Sequence, residues 1–160
     1  MSSQTVMRTS LWLAMGIWVG SWSFFAFVVS RIAFQVLPGD IAGDLAGSLL
    51  SILHFLGAAA ALVAAGAATA LGRRGLVVGL PVLLAVVCVA SELWLSPEVA
   101  AVRPSVLGAA NTAETQQQFR VLHRLSLGLF LAIHLASIVL VGLYARLDSR
   151  ELSEAEAPAD

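Results

Sequence analysis

Hydrophobic and polar positions in this 160-residue chain alternate on a coarse scale: long uncharged runs separated by short charged segments. Residues 9–30, 45–72, 75–91 and 125–145 contain no Asp, Glu, Lys or Arg. Each run reaches or approaches the ~20 apolar residues needed to cross a bilayer. The third continues past Glu92 to Leu95. The pattern predicts an all-α fold, an integral-membrane four-helix bundle. The first run is too long for a signal-peptide core and lacks a following small-residue cleavage site, so it is read as a retained helix.

Helical periodicity assigns faces. The first helix spans about 5–36. On it Gly16, Gly20, Ser23, Phe27 and Arg31 share one side, and Trp18, Trp22 and Phe25 share the other. The small and polar side is expected to look inward, with Gly16 and Gly20 as ordinary bundle packing, and the tryptophan side to meet lipid or a partner subunit. Leu37-Pro38-Gly39-Asp40 reads as a turn. The second helix, 41–71, carries a stripe of Gly43, Gly47, Ser51, His54, Gly57, Ala58, Ala61 and Ala65, so it should pack tightly at the centre with His54 facing protein. Gly72-Arg73-Arg74-Gly75 is a tight basic loop before the third helix, 76–95, in which Pro81 predicts a kink or an early turn. Ser96-Pro97-Glu98 reads as a serine-capped restart, giving a short surface helix over 97–103 that Pro104 ends. Asn111-Thr112-Ala113-Glu114 resembles a capping signature, so the long last helix starts in water near Thr112 and runs to about Leu147. Residues 1–147 form one domain, and the acidic residues 148–160 read as a disordered tail.

Composition agrees with the membrane reading. The chain is 59% hydrophobic and 12% charged, against about 25% charged in soluble domains. A net charge of −1 offers nothing to nucleic acid. All nine basic residues are arginine; nothing in the pattern explains that. Cys88 stands alone and forms no internal disulfide. Arg8, Arg73, Arg74, Arg146 and Arg150 fall at one end of the bundle, and Arg31, Arg103, Arg120 and Arg124 at the other. The compact Arg73-Arg74 loop favours a bacterial inner-membrane orientation with both termini cytoplasmic.

In that orientation the ionisable groups gather at the outer ends of the helices, while the cytoplasmic half reads as nearly all apolar. Charges near hydrocarbon pair or line a wet cavity. Glu92 is expected to meet Arg120, His123 or Arg124, and Arg31 to lie near Asp40 or Asp44. The bland alternative is headgroup-level charges that match the bundle to its interface. On the last helix Phe119, His123, Ser126, Phe130, His134, Ser137 and Tyr144 share an inward face. His134 lies about 16 Å deeper than His123 at the helical rise, level with His54. Two such histidines could ligate a b-type haem or relay protons. They could equally be buried side chains satisfied by serines or backbone. No carboxylate or cysteine reads as level with them to complete a zinc site.

Phe119-x-x-Leu122-His123-x-x-Ser126 resembles the F-x-x-L-H-x-x-S motif that opens the last helix in the membrane family of the transmembrane protein 205 type. Trp18-Val19-Gly20, Leu37-Pro38 with Ala42-Gly43, and Pro97 with Arg103 resemble further features of that family, over residues 8–147. The resemblance implies a four-helix membrane domain without a settled activity. Where the family often has asparagine four residues after the motif serine, this chain has Phe130. The layout is remotely similar to copper-resistance membrane proteins. The reading that follows is a non-enzymatic membrane protein. Its pocket of Glu92, Phe119, Arg120, His123, Arg124 and Ser126, with Arg31 and Asp44 on the rim, would take a small ion, a metal or a lipid-like ligand, in a homeostasis or transport-accessory role. The alternatives are a haem protein using His54 and His134, and a homo-oligomer or subunit of a larger membrane complex.

Overall fold

The computed structural model describes residues 2–103 and 112–156. They form four helices: α1 (Ser3–Val36), α2 (Gly39–Ala70), α3 (Leu76–Val102) and α4 (Ala113–Glu156). All four are long and apolar enough to span a membrane. There is no strand among the described residues. Both α1 and α3 contain a π-helical turn, at Phe25–Val29 and Ser91–Leu95.

The connections follow local chemistry. Leu37 is extended (φ −113°, ψ 150°) because Pro38 excludes the helical region for the residue before it, and α1 stops there. Between α2 and α3 the chain reverses through Gly72 (φ 76°) and Gly75 (φ 70°), a conformation suited to glycine. Thr112 Oγ1 accepts from the Thr115 amide at 3.2 Å, capping α4 close to the expected start. Asn111 and Pro104 lie outside the described residues. The segment Ser96–Val102 is helical, but it continues α3 through the π-helical turn. The Ser96 hydroxyl donates back to Glu92 at 3.1 Å instead of capping a new start.

Helix α2 packs along both α1 and α3, and α4 crosses α1 and α3, so α2 and α4 are diagonal partners. The buried alanines of α2 create the volume that decides the core. Trp18 and Trp22 fill it, both fully buried. A Cβ on Gly57 would lie 2.9 Å from Trp18 Nε1, so glycine is what admits the two indoles. Trp22 Nε1 donates to the Leu53 carbonyl at 3.1 Å. The expectation that the tryptophans face lipid is therefore reversed: a small-residue helix face needs large neighbours to reach packing density. Phe25 is half-buried on the same side, so this face is not available to a partner subunit. Gly16 and Gly20 point away from the bundle, with nothing near enough to meet a side chain there.

The end of the bundle carrying Arg73 is not the apolar region expected. Helix α4 runs past Leu147 to Glu156, through acidic residues whose composition reads as a disordered tail. Asp148 and Glu151, one turn apart, hold it against the bundle. Arg73 is buried and pairs with both, and Arg8 pairs with Glu151 at 2.5 Å. Trp12 Nε1 adds a bond to Asp148 at 2.8 Å. Carboxylates with such partners favour a docked helix over a free tail. Residues 157–160 lie outside the described residues.

Candidate functional site

At the opposite end, near Pro38, the helices diverge around a cavity of about 700 Å³. Five of the chain's seven phenylalanines line it: Phe25, Phe27, Phe34, Phe119 and Phe130. Leu50, Leu127 and Leu131 complete apolar walls drawn from α1, α2 and α4. Polar groups are few and placed. His123 is exposed and stacks on Phe119 with ring centroids 5.3 Å apart. Asp40 and Arg103 line the same opening, and Ser126 lies one turn below His123. The deep end is Phe130 and His134, both buried.

Arg103 is positioned by α2. Its Nη1 donates to the Gly43 carbonyl at 2.8 Å and its Nη2 pairs with Asp44 at 2.8 Å. Any Cβ at Gly47 would collide with its guanidinium. The glycines at 43 and 47 are thus the groove in which this side chain lies. A smaller cavity of about 500 Å³ adjoins on the other side of Arg103, lined by Ser51, Glu92, Ser96, Arg103 and Ser126.

The hydrogen bonds of Glu92 run to α2 and within its own helix. Its Oε1 accepts from the Ser51 hydroxyl at 2.7 Å, and its Oε2 lies 3.2 Å from His54 Nδ1 and accepts from Ser96 at 3.1 Å. The reason is topological: His54 and Glu92 stand equally far from the α2–α3 turn, so the antiparallel hairpin places them level. A carboxylate therefore does reach the depth of His54. Arg120 is exposed and bonds Gln117, one turn earlier on its own helix, at 2.6 Å. Arg31 and Arg124 are exposed and line neither cavity. Of the expected pocket, Phe119, His123 and Ser126 come together around the larger cavity. Glu92 lines the smaller one, and Asp44 pairs with Arg103.

Each of the two histidines considered as haem ligands has a polar partner of its own within the bundle. Trp22 packs against both imidazoles, at 5.8 Å from His54 and 6.3 Å from His134, and stacks on Phe130 at 4.6 Å. His54 is engaged with Glu92, and His134 Nε2 lies 3.2 Å from Ser23 Oγ. Among the described residues no cluster of three His, Cys, Asp or Glu side chains is arranged to hold a metal ion.

Arg103 and the phenylalanines of α1 were missed as site residues. Asp44 flanked by Gly43 and Gly47, facing a solitary arginine after the third helix, was the available signal for Arg103. The phenylalanines gave none, because an apolar side chain reads alike toward lipid and toward a cavity.

Fold and site together define a multi-pass membrane protein, a four-helix bundle with an aromatic-walled cavity at one end. Residues 13–106 match the model of a domain of unknown function, DUF4149, and the chain belongs to that family. The match ends short of the Phe119–Ser126 motif. No curated protein and no solved structure matches the chain.

Proposed function

We propose that this protein binds an amphiphilic, lipid-like small molecule in the larger cavity, in a homeostasis or transport-accessory role. The observation that carries the reading is the division within that cavity: apolar aromatic walls below, with Asp40, Arg103 and His123 at the mouth. Such a site accommodates a hydrocarbon or ring body and holds a polar group where water begins. Its size falls in the range of small-molecule pockets, about 300–1,000 Å³. The family-like motif Phe119-x-x-Leu122-His123-x-x-Ser126, similar to the transmembrane protein 205 type, supports the same place, since Phe119, His123 and Ser126 all line it. In this reading the mouth faces outward from a bacterial inner membrane and both termini are cytoplasmic.

Thermal unfolding of the purified chain with added lysophosphatidylcholine tests the binding reading. A ligand that binds only the folded state raises the melting temperature with concentration. His123→Ala and the cavity-filling Ala46→Phe should fold and lose most of that rise. An equal response in the wild type and both variants would overturn the assignment. Thiol labelling of Ser3→Cys and Gln35→Cys from outside intact cells tests the orientation, with only the second expected to react.

A further inference from the structure

Glu92 and His54 make a pair that the lipid-like ligand does not use. His54 is buried, its ring edge-on to Trp22, and Glu92 is half-buried on the wall of the smaller cavity. Glu92 stands in the π-helical turn Ser91–Leu95. The extra residue in such a turn re-aims side chains, and these turns gather at functional positions. A carboxylate among hydrocarbon is costly and marks function unless packing alone explains it. Here three groups converge on it from two helices: the Ser51 hydroxyl, the Ser96 hydroxyl and the His54 imidazole.

We propose that Glu92 and His54 form a proton-exchange site inside the membrane, loaded and unloaded through the smaller cavity. In the unloaded state the carboxylate accepts hydrogen bonds from both serine hydroxyls and from His54 Nδ1–H, and the pair carries one negative charge. Uptake of one proton from solvent in the cavity makes the pair neutral. The added proton rests on a carboxyl oxygen of Glu92, and the neutral acid keeps its hydrogen bond from His54 Nδ1–H through the other oxygen. Release returns the proton to the cavity, and no other bond forms or breaks. Because the donor and acceptor already share a hydrogen bond, the exchange needs no movement of α2 or α3.

The surroundings determine what the charge change would act on. From α3, Arg103 lines the same cavity, and from α2, Asp44 pairs with that arginine. From α1 the neighbour is the uncharged Trp22; from α4, Ser126 lines the cavity and His134 packs on Trp22. Arg103 also lines the larger cavity. Loading the pair removes a negative charge on one side of Arg103 and so alters the electrostatics of both cavities.

Infrared difference spectra of the full chain in lipid, acidified from about pH 9 to about pH 5 across the range where histidine-linked groups titrate, test this directly. Wild type should gain one carboxyl C=O band and lose carboxylate bands that Glu92→Gln lacks. His54→Gln should shift that band's midpoint by about tenfold or more in proton affinity, one pH unit. Ser51→Ala and Ser96→Ala, each removing one donor to the carboxylate, should also shift it, and they serve if Glu92→Gln fails to fold. A purely structural pair would lower the melting temperature of the variants and leave the difference spectrum unchanged. That outcome, or spectra identical between wild type and Glu92→Gln, would overturn the proposal.

Discussion

Tyr144 of α4 donates its hydroxyl to the carbonyl of Val77 on α3 at 2.6 Å. That carbonyl is the one whose helical partner would be the amide of residue 81, and residue 81 is proline. Pro81 lies buried inside α3 without interrupting it. A proline in a helix removes one hydrogen bond and orphans the carbonyl four residues before it. In a membrane no water can satisfy that group. The tyrosine does so and ties two helices together at the same atom.

Tyr144→Phe should therefore cost about 1–3 kcal/mol, the desolvation penalty of a buried unpaired acceptor. In a Pro81→Ala background the restored amide satisfies Val77, so the same substitution should cost markedly less. A double-mutant cycle on unfolding in mixed micelles measures the difference. Equal costs in both backgrounds would show that the bond is incidental.

Gly57 is the contact point for Trp18 and Trp22. Gly57→Ala should destabilise by about 1–3 kcal/mol, the usual cost of overpacking a core, and should change tryptophan emission. Gly66 on the same helix has nothing near it. Gly66→Ala should be neutral or stabilise by up to about 1 kcal/mol, since glycine inside a helix is itself unfavourable. The pair of variants separates steric contact from helix propensity.

The groove for Arg103 is equally position-specific. Gly47→Ala should displace the guanidinium from the Gly43 carbonyl and cost about 1–2 kcal/mol. At Gly43 an added Cβ would meet Arg103 Cδ at 3.6 Å, an ordinary contact. Gly43→Ala should thus stay within about 0.5 kcal/mol of wild type. Chemical denaturation of the three proteins side by side decides it.

At the other end of the bundle, Arg73→Ala would leave Asp148 and Glu151 with Arg8 as their remaining arginine partner. The loss should approach about 3 kcal/mol, typical of breaking a largely buried ion pair. The end of α4 should then undock. Limited proteolysis after Leu147, slow in wild type and fast in the variant, is the measurement. Comparable rates would mean that the docking rests on apolar contacts instead.

The four spans, the Pro38 turn, the start of α4 near Thr112 and the inward face of α4 were legible because each is local. Uncharged runs, a proline, a capping signature and a helical repeat identify them without reference to the rest of the chain. The orientation of α1 was not legible. Its glycine face and its tryptophan face are both acceptable to lipid, and only the alanine surface of α2 selects the tryptophans for the interior. The site divides in the same way. His123, Phe119 and Ser126 share one helix face and came out together, whereas the partner of Glu92 depended on which helix lay beside α3.

The amino-acid sequence by itself determined four helices long and apolar enough to cross a membrane, and about where each of the four starts. Hydrophobic length and turn chemistry act over a few residues and leave few alternatives. Only the tertiary structure decided which residues meet: His54 with Glu92, Arg103 with Asp44, Tyr144 with Val77, and five phenylalanines around one cavity. In a membrane the hydrophobic effect does not distinguish inside from outside. Complementary volume and unsatisfied polar groups make that choice, and both are properties of helices in contact.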